Sequence, residues 1–165
     1  HDVTGSSGGN ANVDLLFARS TDLGGTWTPP VVINGDGDPP GDQFFPWIEV
    51  DQWGRLHMVF LATRNVAQND ASGTAFIDAY YSPSSDGGDT WTEYRLTAEP
   101  YACAHYFIGD YCGLTVAGDR VYPVYVATHN SDTDVYAHAI VNPPAGVFAD
   151  GFESGDMSAW SATVP

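Results

Sequence analysis

Two stretches of this chain repeat each other at a distance of 64 residues, and that spacing constrains the fold more than any other feature. Residues 13–28 carry VDLLFARSTDLGGTWT, and residues 77–92 carry IDAYYSPSSDGGDTWT. A second pair, residues 55–65 and 120–130, matches at an offset of 65. Self-similarity at a regular spacing is the sequence signature of folds built from stacked units. The chain therefore consists of units of about 64 residues.

A third copy of the unit is partial. Residues 135–141, VYAHAIV, fall where a third strand of the 13–19 type is expected, and Asp134 precedes them as the counterpart of Asp14 and Asp78. The polar turn that follows the strand in the first two copies is replaced by NPPAG. We therefore expect about two and a half units.

The units are predicted to be all-β. Short runs rich in Val, Ile, Tyr and Phe favour strands, and Gly, Asp, Asn and Pro separate them as turn residues. No segment has the sustained 3.6-residue period of a helix. Short strands in repeats of this length are typical of four-stranded propeller blades. The predicted strands are residues 13–19, 30–34, 46–51, 55–62, 76–82, 93–97, 113–117, 120–127 and 134–141.

The most specific motif is Ser-x-Asp-x-Gly-x-Thr-Trp, which occurs twice. Glycine tolerates the positive φ of a tight hairpin, and a short carboxylate can accept hydrogen bonds from turn N–H groups. The indole can bury a large apolar area. We interpret both motifs as structural hairpins with largely buried tryptophans, not as catalytic carboxylates. Their residues are Ser20, Asp22, Gly24, Thr26 and Trp27, and Ser84, Asp86, Gly88, Thr90 and Trp91.

This pair of motifs resembles the Asp-box (BNR) repeats of the sialidase-like β-propeller superfamily, in particular its secreted bacterial members. The resemblance covers residues 1–142. It implies antiparallel four-stranded propeller-type blades, in a propeller that is incomplete or completed by oligomerisation, because two and a half blades cannot close a ring. It also implies a secreted, extracellular protein, with the bacterial cell surface as one location.

The resemblance raises the question of a sialidase site. Sialidases bind the substrate carboxylate with three arginines and add an acid/base residue and a Tyr–Glu nucleophile pair. Their Arg-Ile-Pro motif is absent here, and of five arginines only Arg64, in LATRND, has a loop-end position suited to a ligand. We therefore expect a module without a complete catalytic site that binds glycans or partners or serves as a structural component. The alternative is a fragment of a sialidase-like glycoside hydrolase whose remaining blades are missing from this chain.

Other candidate ligand-binding residues cluster in one segment. His105, Asp110 and Tyr111, in AHYFIGDYCGL, form the densest polar and aromatic group, and His129 stands at the repeat position of Arg64. The alternative interpretation of this segment is a structural loop. The nearby Cys103 and Cys112 are expected to form a local disulfide in an exported protein, although two buried thiols remain the alternative.

A cation site is one interpretation of the segment NGDGDPPGDQ. Its alternating carboxylates, on Asp36, Asp38 and Asp42, can supply oxygen ligands to Ca²⁺. The Gly and closing Glu of an EF-hand are missing. The alternative is a solvated acidic turn. If the segment does bind a cofactor, Ca²⁺ is the candidate.

The excess of acidic residues limits the classes of binding partner that we expect. The chain has 21 acidic and 5 basic residues, a net charge of −16, which repels nucleic acid and anionic membranes. No apolar run approaches the ~20 residues of a membrane span. The expected partners are other copies of the chain or missing propeller blades, and glycans.

The C-terminal segment departs from the repeats. We divide the chain into blades (1–142), a linker (143–146) and a tail (147–165). The tail resembles FADGFESGD-type segments near the ends of exported bacterial proteins. It is interpreted as a sorting, docking or assembly segment, or as a strand added to the last blade.

Overall fold

The computed structural model describes residues 2–4, 12–35, 41–64, 76–102, 109, 111–129 and 132–142. These residues form β-strands and contain no helix. The strands are β1 Asp2–Thr4, β2 Asn12–Asp14, β3 Leu16–Phe17, β4 Val31–Val32, β5 Gln43–Val50, β6 Leu56–Ala62, β7 Phe76–Ser84, β8 Tyr94–Arg95, β9 Tyr101–Ala102, β10 Gly113–Ala117, β11 Arg120–His129, β12 Asp132–Ala137 and β13 Ile140–Val141.

The strands follow one another as three antiparallel units. The first unit holds the pairs β1–β2 and β3–β4, and the central unit holds β5-β6-β7-β8 with β9 added to β7. The third unit holds β10-β11-β12, with β13 also paired to β11. The predicted all-β, antiparallel architecture is confirmed. The described strands do not close into a ring, so the propeller itself stays a prediction.

The sequence repeat is also a repeat of strand pairing. Phe17 pairs with Val31 in the first unit, and 64 residues later Tyr81 pairs with Tyr94. We call β2–β3, β7 and β12–β13 the third strands of their units, and β4 and β8 the fourth strands. The third unit has no fourth strand among the described residues.

Strand pairing in the third unit shows which of its residues are equivalent to those of the central unit. Asp78 lies opposite Ala62 and Asp134 lies opposite Ala127, so the two aspartates hold equivalent positions. Asp78 is buried whereas Asp134 is exposed. Farther along, Ile140 stands where the central unit has the first serine of its Asp box, Ser84. The third Asp box is replaced at its first residue.

The core lies between the units, on both faces of the central sheet. One face of β6 carries Met58 and Phe60, which pack in a cluster with Leu15 of the first unit. The other face carries Val59 and Leu61, which cluster with the third unit, including Tyr125. Because strand side chains alternate between faces, β6 contacts both neighbouring units, and it is buried from His57 to Ala62.

Both Asp boxes form the predicted hairpins. Asp22 accepts hydrogen bonds from the Thr26 N–H at 2.8 Å and from its hydroxyl at 2.7 Å. Ser20 donates to Asp22 at 2.7 Å and accepts from the Gly24 N–H at 2.8 Å. The carboxylate and hydroxyl therefore fasten the turn, as the motif predicts.

The second box repeats these contacts. Asp86 accepts from the Thr90 N–H at 2.9 Å and its hydroxyl at 2.5 Å, and Ser84 donates to Asp86 at 2.8 Å. Gly88 has a φ of 97°, and a Cβ there would collide with the Phe17 ring. Glycine is required at this position both by the backbone and by the neighbouring unit.

The two tryptophans differ, which corrects one expectation. Trp91 is partly buried and lies edge-on against Phe17 of the preceding unit. Trp27 is 64% exposed, so the prediction that it is largely buried is wrong. The physical reason is that the cover over Trp91 comes from the unit before it, and no described residue covers Trp27 in the same way.

Candidate functional site

A cavity of about 520 Å³ lies where the central unit meets the third unit. The central unit supplies most of its wall, and the third unit closes one side. Its described lining contains aromatic, hydroxyl and aliphatic side chains but no Asp or Glu. The lining residues are Arg55, His57, Tyr81, Pro83, Ser84, Ser85, Thr90, Thr92, Tyr94, Leu96, Ile140, Val141 and Asn142.

The cavity exists because the third unit departs from the repeat. In the central unit, the Asp-box hairpin leads from the third strand to the fourth and packs on the first unit. The third unit has Ile140 where that hairpin would begin, and neither a box nor a fourth strand follows among the described residues. The space beside Tyr81 and Tyr94 is therefore left open.

Asp51 organises the floor of the cavity. It lies in the turn between β5 and β6, in which Gly54 adopts a φ of 81°. One carboxylate oxygen accepts from the Trp53 and Arg55 N–H groups, each at 2.9 Å. The other accepts from Arg55 Nε at 2.6 Å and from Asn142 Nδ2 at 3.2 Å. A buried carboxylate with this many donors fixes the side chains around it.

These donors determine the ionisation of Asp51. Burial acts to raise the pKa of its carboxyl, but the hydrogen bonds from Arg55 and Asn142 outweigh burial and hold that pKa well below its usual range. The side chain of Asp51 is fully buried. Asp51 therefore stays ionised, and it serves as an anchor and not as a proton donor.

His57 links this anchor to the cavity wall. Its Nε2 lies 3.2 Å from Asp51 Oδ2, and its Nδ1 lies 2.7 Å from the Tyr81 hydroxyl. A carboxylate only accepts, so Nε2 carries the proton and Nδ1 accepts from Tyr81. Burial lowers the pKa of His57 against the opposing effect of Asp51, which keeps the ring neutral.

Tyr81 and Tyr94 form the aromatic wall. Their ring centroids are 6.2 Å apart, with planes inclined by 24°. Burial raises the pKa of Tyr81 to about 12, so its phenol stays protonated at neutral pH. Tyr94 is 54% exposed. The wall therefore presents the exposed ring of Tyr94 to a ligand, with the buried Tyr81 behind it.

Arg64, the arginine proposed for ligand contact, lies elsewhere. Its guanidinium makes a two-pronged ion pair with Glu93, of which the Nη2–Oε1 bond measures 2.9 Å. It also lies over the rings of Tyr80 and Phe60, at 4.6 Å and 5.5 Å from their centroids. Only 12% of its side chain is exposed. This geometry fastens β6 to the region before β8, and a ligand role for Arg64 stays a prediction.

All five arginines have an acidic partner within 4 Å. Besides Arg55 and Arg64, the pairs have N–O distances of 2.7 to 3.6 Å and differ widely in exposure. Each pair lies within one unit or between neighbouring units. The three further pairs are Arg19–Asp89, Arg95–Asp78 and Arg120–Asp119.

The remaining predicted ligand residues are not brought together in the described structure. Tyr111 is 77% exposed and does not line the cavity. His129 ends β11, and its side chain lies outside the described residues, as do His105 and Asp110. Their ligand role stays a prediction.

The proposed calcium ligands are described only in part. Asp36 and Asp38 lie outside the described residues. Asp42 accepts from the Val13 N–H at 3.0 Å, and its own N–H donates to the Thr63 hydroxyl at 3.0 Å. Among the described residues no group of three His, Cys, Asp or Glu side chains is arranged to hold a metal ion. Asp42 therefore ties β2 to the end of β6.

Of the two cysteines in the predicted disulfide, Cys112 lies among the described residues. Cys112 is buried, 4% exposed, and belongs to the core between the central and third units. Cys103 lies outside the described residues. The bond stays a prediction.

Sequence reasoning missed the residues that build the cavity. Asp51, His57 and Asn142 belong to no motif, and Asp51 and Asn142 come from different units. One signal was present: in DQWGR, residues 51–55, an aspartate is followed by a glycine-containing turn and an arginine. That pattern is typical of a carboxylate that caps a hairpin.

Comparison with known proteins gives no matching family model, no matching curated protein and no matching solved structure. In the described part of the chain no helix has the length and apolarity that a membrane crossing requires.

Proposed function

We propose that this chain is an extracellular, sialidase-like propeller module that binds glycans without cleaving them, through the cavity between its central and third units. The observation that carries the proposal is the cavity lining, in which Tyr81 and Tyr94 stand beside threonine and serine hydroxyls, with no Asp or Glu among the described lining residues. Aromatic faces and hydroxyl groups suit a sugar ring, which offers apolar C–H faces and many hydroxyls.

The same lining argues for binding over hydrolysis. Glycoside hydrolysis uses a pair of carboxylates on either side of the scissile bond, or a tyrosine activated by a glutamate. Here Asp51 is held behind Arg55 and His57 as an ionised anchor. Tyr81 keeps its proton, because burial raises its pKa to about 12. Neither residue is placed to act as a nucleophile.

The arginines support the same conclusion. A sialic acid carboxylate needs guanidinium groups that are available to it. Arg55, the arginine that lines the cavity, donates to Asp51 at 2.6 Å, and the other four arginines also have acidic partners. We therefore expect neutral glycans to bind at least as well as sialylated ones.

Calorimetric titration with lactose and with 3′-sialyllactose tests the proposal, together with turnover of a fluorogenic sialoside. We expect binding to at least one of the two sugars, a tenfold or greater loss of affinity in Tyr94→Ala, about the loss of one aromatic contact, and no turnover. Trp47→Ala is the matched control, since Trp47 is 44% exposed but lies outside the cavity. Sialoside cleavage, or sugar binding that Tyr94→Ala leaves unchanged, would contradict the proposal.

A further inference from the structure

In the first and central units, one face of the third strand is turned toward the unit that follows. In the first unit, Phe17 on that face meets Trp91 of the next Asp box, with ring centroids 5.4 Å apart. Arg19, two residues on, donates to the Gly87 carbonyl at 2.7 Å and pairs with Asp89 at 3.1 Å. The junction between the first and central units is therefore a third strand packed against the next Asp-box hairpin.

The central unit uses the same face. Ala79 and Tyr81, the repeat counterparts of Leu15 and Phe17, are 0% and 5% exposed. Both belong to the core cluster shared with the third unit. In two successive units, then, this face is covered by the unit that comes next.

In the third unit the corresponding face is exposed among the described residues. Val135 and Val141 are 70% and 59% exposed, and Ala137 and Ala139 between them are exposed as well. Strand side chains alternate between faces, so these four residues form one apolar stripe along β12–β13. We call this stripe the C-terminal face. No described residue covers it.

The first unit has the complementary surface. Its Asp-box hairpin exposes 64% of Trp27 and the whole of Leu23, and Leu16 and Val32 beside it are 36% and 55% exposed. We call these four residues the N-terminal face. The counterpart of Trp27 in the central unit is Trp91, which Phe17 covers. The N-terminal face therefore lacks the kind of cover that the next hairpin has.

Both faces lack the charged residues that form an ion pair at the junction between the first and central units. At the internal junction Arg19 pairs with Asp89. By the repeat register, Ala139 takes the place of Arg19 on the C-terminal face, and Gly25 takes the place of Asp89 beside Trp27. Loss of one charge alone would leave its partner unpaired in a junction. Loss of both converts an ionic contact into an apolar one.

The two faces also differ from the internal junction in the size of their side chains, in opposite directions. Ala139 stands where the first unit has Arg19, whose guanidinium lies against Gly87, and Leu23 stands where the second box has Gly87. The C-terminal face is thus smaller than its counterpart, and the N-terminal face is larger. A large residue facing a small one preserves the volume of a packed contact.

The backbone of Leu23 supports a role for its side chain. Leu23 has a φ of 60°, in the left-handed region where Gly87 stands in the second box. A leucine is strained in that conformation, and its side chain makes no compensating burial here because it is fully exposed. Backbone strain of this kind clusters at functional sites, which supports a binding role for this exposed side chain.

We propose that the N-terminal face of this chain docks on the C-terminal face of a second copy, and so continues the packing of one unit on the next from chain to chain. The contact is heterologous, since each copy contributes a different surface. Such contacts generate a ring when the rotation closes and a filament when it does not. The proposal does not rest on glycan binding: Val141 of the C-terminal face also lines the cavity, but neither face includes Tyr81 or Tyr94.

Sedimentation of the full chain with two blocking variants tests this. Trp27→Arg blocks the N-terminal face, and Ala137→Arg blocks the C-terminal face. We expect wild-type chain to associate with rising concentration, and more strongly at high salt, because the net charge of −16 on each copy opposes contact until it is screened. Each variant alone is expected to stay monomeric.

The mixture of the two variants is the decisive sample. A Trp27→Arg copy keeps its C-terminal face and an Ala137→Arg copy keeps its N-terminal face, so together they can form one junction and no more. We expect a one-to-one dimer. Val50→Arg is the matched control, since Val50 is 59% exposed on β5 and outside both faces; it should associate like wild type.

Three results would overturn the proposal. A wild-type chain that stays monomeric at every concentration and salt would show that the faces do not meet. Oligomers that persist in either single variant would place the contact elsewhere. A mixture of variants that does not dimerise, although wild type does, would indicate a symmetric contact in place of the head-to-tail one.

Discussion

Trp91 stands edge-on against Phe17, with ring centroids 5.4 Å apart and planes at 71°. The two residues belong to different units, so this pair is a packing contact between one repeat and the next. Edge-to-face geometry is favourable for aromatic rings. The structure of each Asp box is local, but the environment of its tryptophan depends on the neighbouring unit.

The two tryptophans are therefore expected to differ in their effect on stability. Trp91→Ala removes a partly buried ring and should cost roughly 3 kcal/mol, the low end for a large aromatic side chain. Trp27→Ala, at an exposed position, should cost about 0.5 kcal/mol or less. Urea unfolding of the monomer, followed by circular dichroism, measures both. Equal losses would show that Trp27 is covered after all.

Acid should weaken the first Asp-box hairpin. Hydrogen bonds from Thr26 and Ser20 lower the pKa of Asp22 to about 2, below its ordinary value of about 3.9. The folded state therefore binds this proton less readily than the unfolded state, and its contribution is complete above about pH 4 and is lost toward pH 2. Asp22→Asn should flatten the dependence of unfolding free energy on pH in that window. An unchanged acid profile would show that the carboxylate does not hold the turn.

His57 should add a second pH dependence nearer neutrality. Burial lowers its pKa from the ordinary value of 6.5. The unfolded chain then binds a proton that the folded chain resists, so stability is complete above pH 6.5 and falls as the pH drops below that value. Melting temperatures between pH 7.5 and 5 measure the slope, which His57→Gln should reduce. His138→Gln, which removes a histidine from outside the cavity, is the control and should leave the slope closer to that of wild type.

Arg64 should prove to be a stabilising residue. Arg64→Met leaves the mostly buried Glu93 without its guanidinium, and such a loss costs about 3 kcal/mol. Arg120→Met is the matched control, because the Arg120–Asp119 pair is exposed and should contribute less than about 1 kcal/mol. Denaturant unfolding compares the two. If Arg64→Met is as stable as the control while sugar affinity falls, the ligand role predicted from sequence would gain support instead.

The predicted disulfide is open to a direct chemical test. If Cys103 and Cys112 are bonded, denatured but unreduced protein should titrate with no thiol, and reduction should cost about 2–3 kcal/mol of stability. In the reduced folded protein, burial raises the pKa of the Cys112 thiol to about 12. Cys112 should then react slowly with a thiol reagent until the chain unfolds. Two thiols in the unreduced sample would refute the bond.

How far the sequence predicts this structure depends on whether an interaction is local. The hydrogen bonds of Asp22 and Asp86 connect residues within four positions of each other, so the motif alone predicts them. The exposure of Trp27 was not predictable in this way, because it depends on which unit lies in front of the hairpin. Identical motifs differ in burial when their neighbours differ.

The cavity was beyond prediction for the same reason. Its floor joins Asp51 to Asn142 across two units, and no spacing within one repeat indicates that pair. Arg64 had a sequence context suited to a ligand, yet its partner Glu93 lies 29 residues away and could not be assigned from the chain alone. Strand order and turns follow from the pattern, whereas contacts between units need the structure.

The hydrogen bond between Asp51 and Asn142 can form only late in synthesis of the chain. The two residues are 91 positions apart, and chains emerge from the ribosome from the N-terminus at about 5–20 residues per second. The strands around Asp51 are thus complete for some seconds before Asn142 leaves the exit tunnel. Throughout that interval the Asp51 carboxylate lacks one of its donors, and the turn between β5 and β6 is held only by contacts within its own unit.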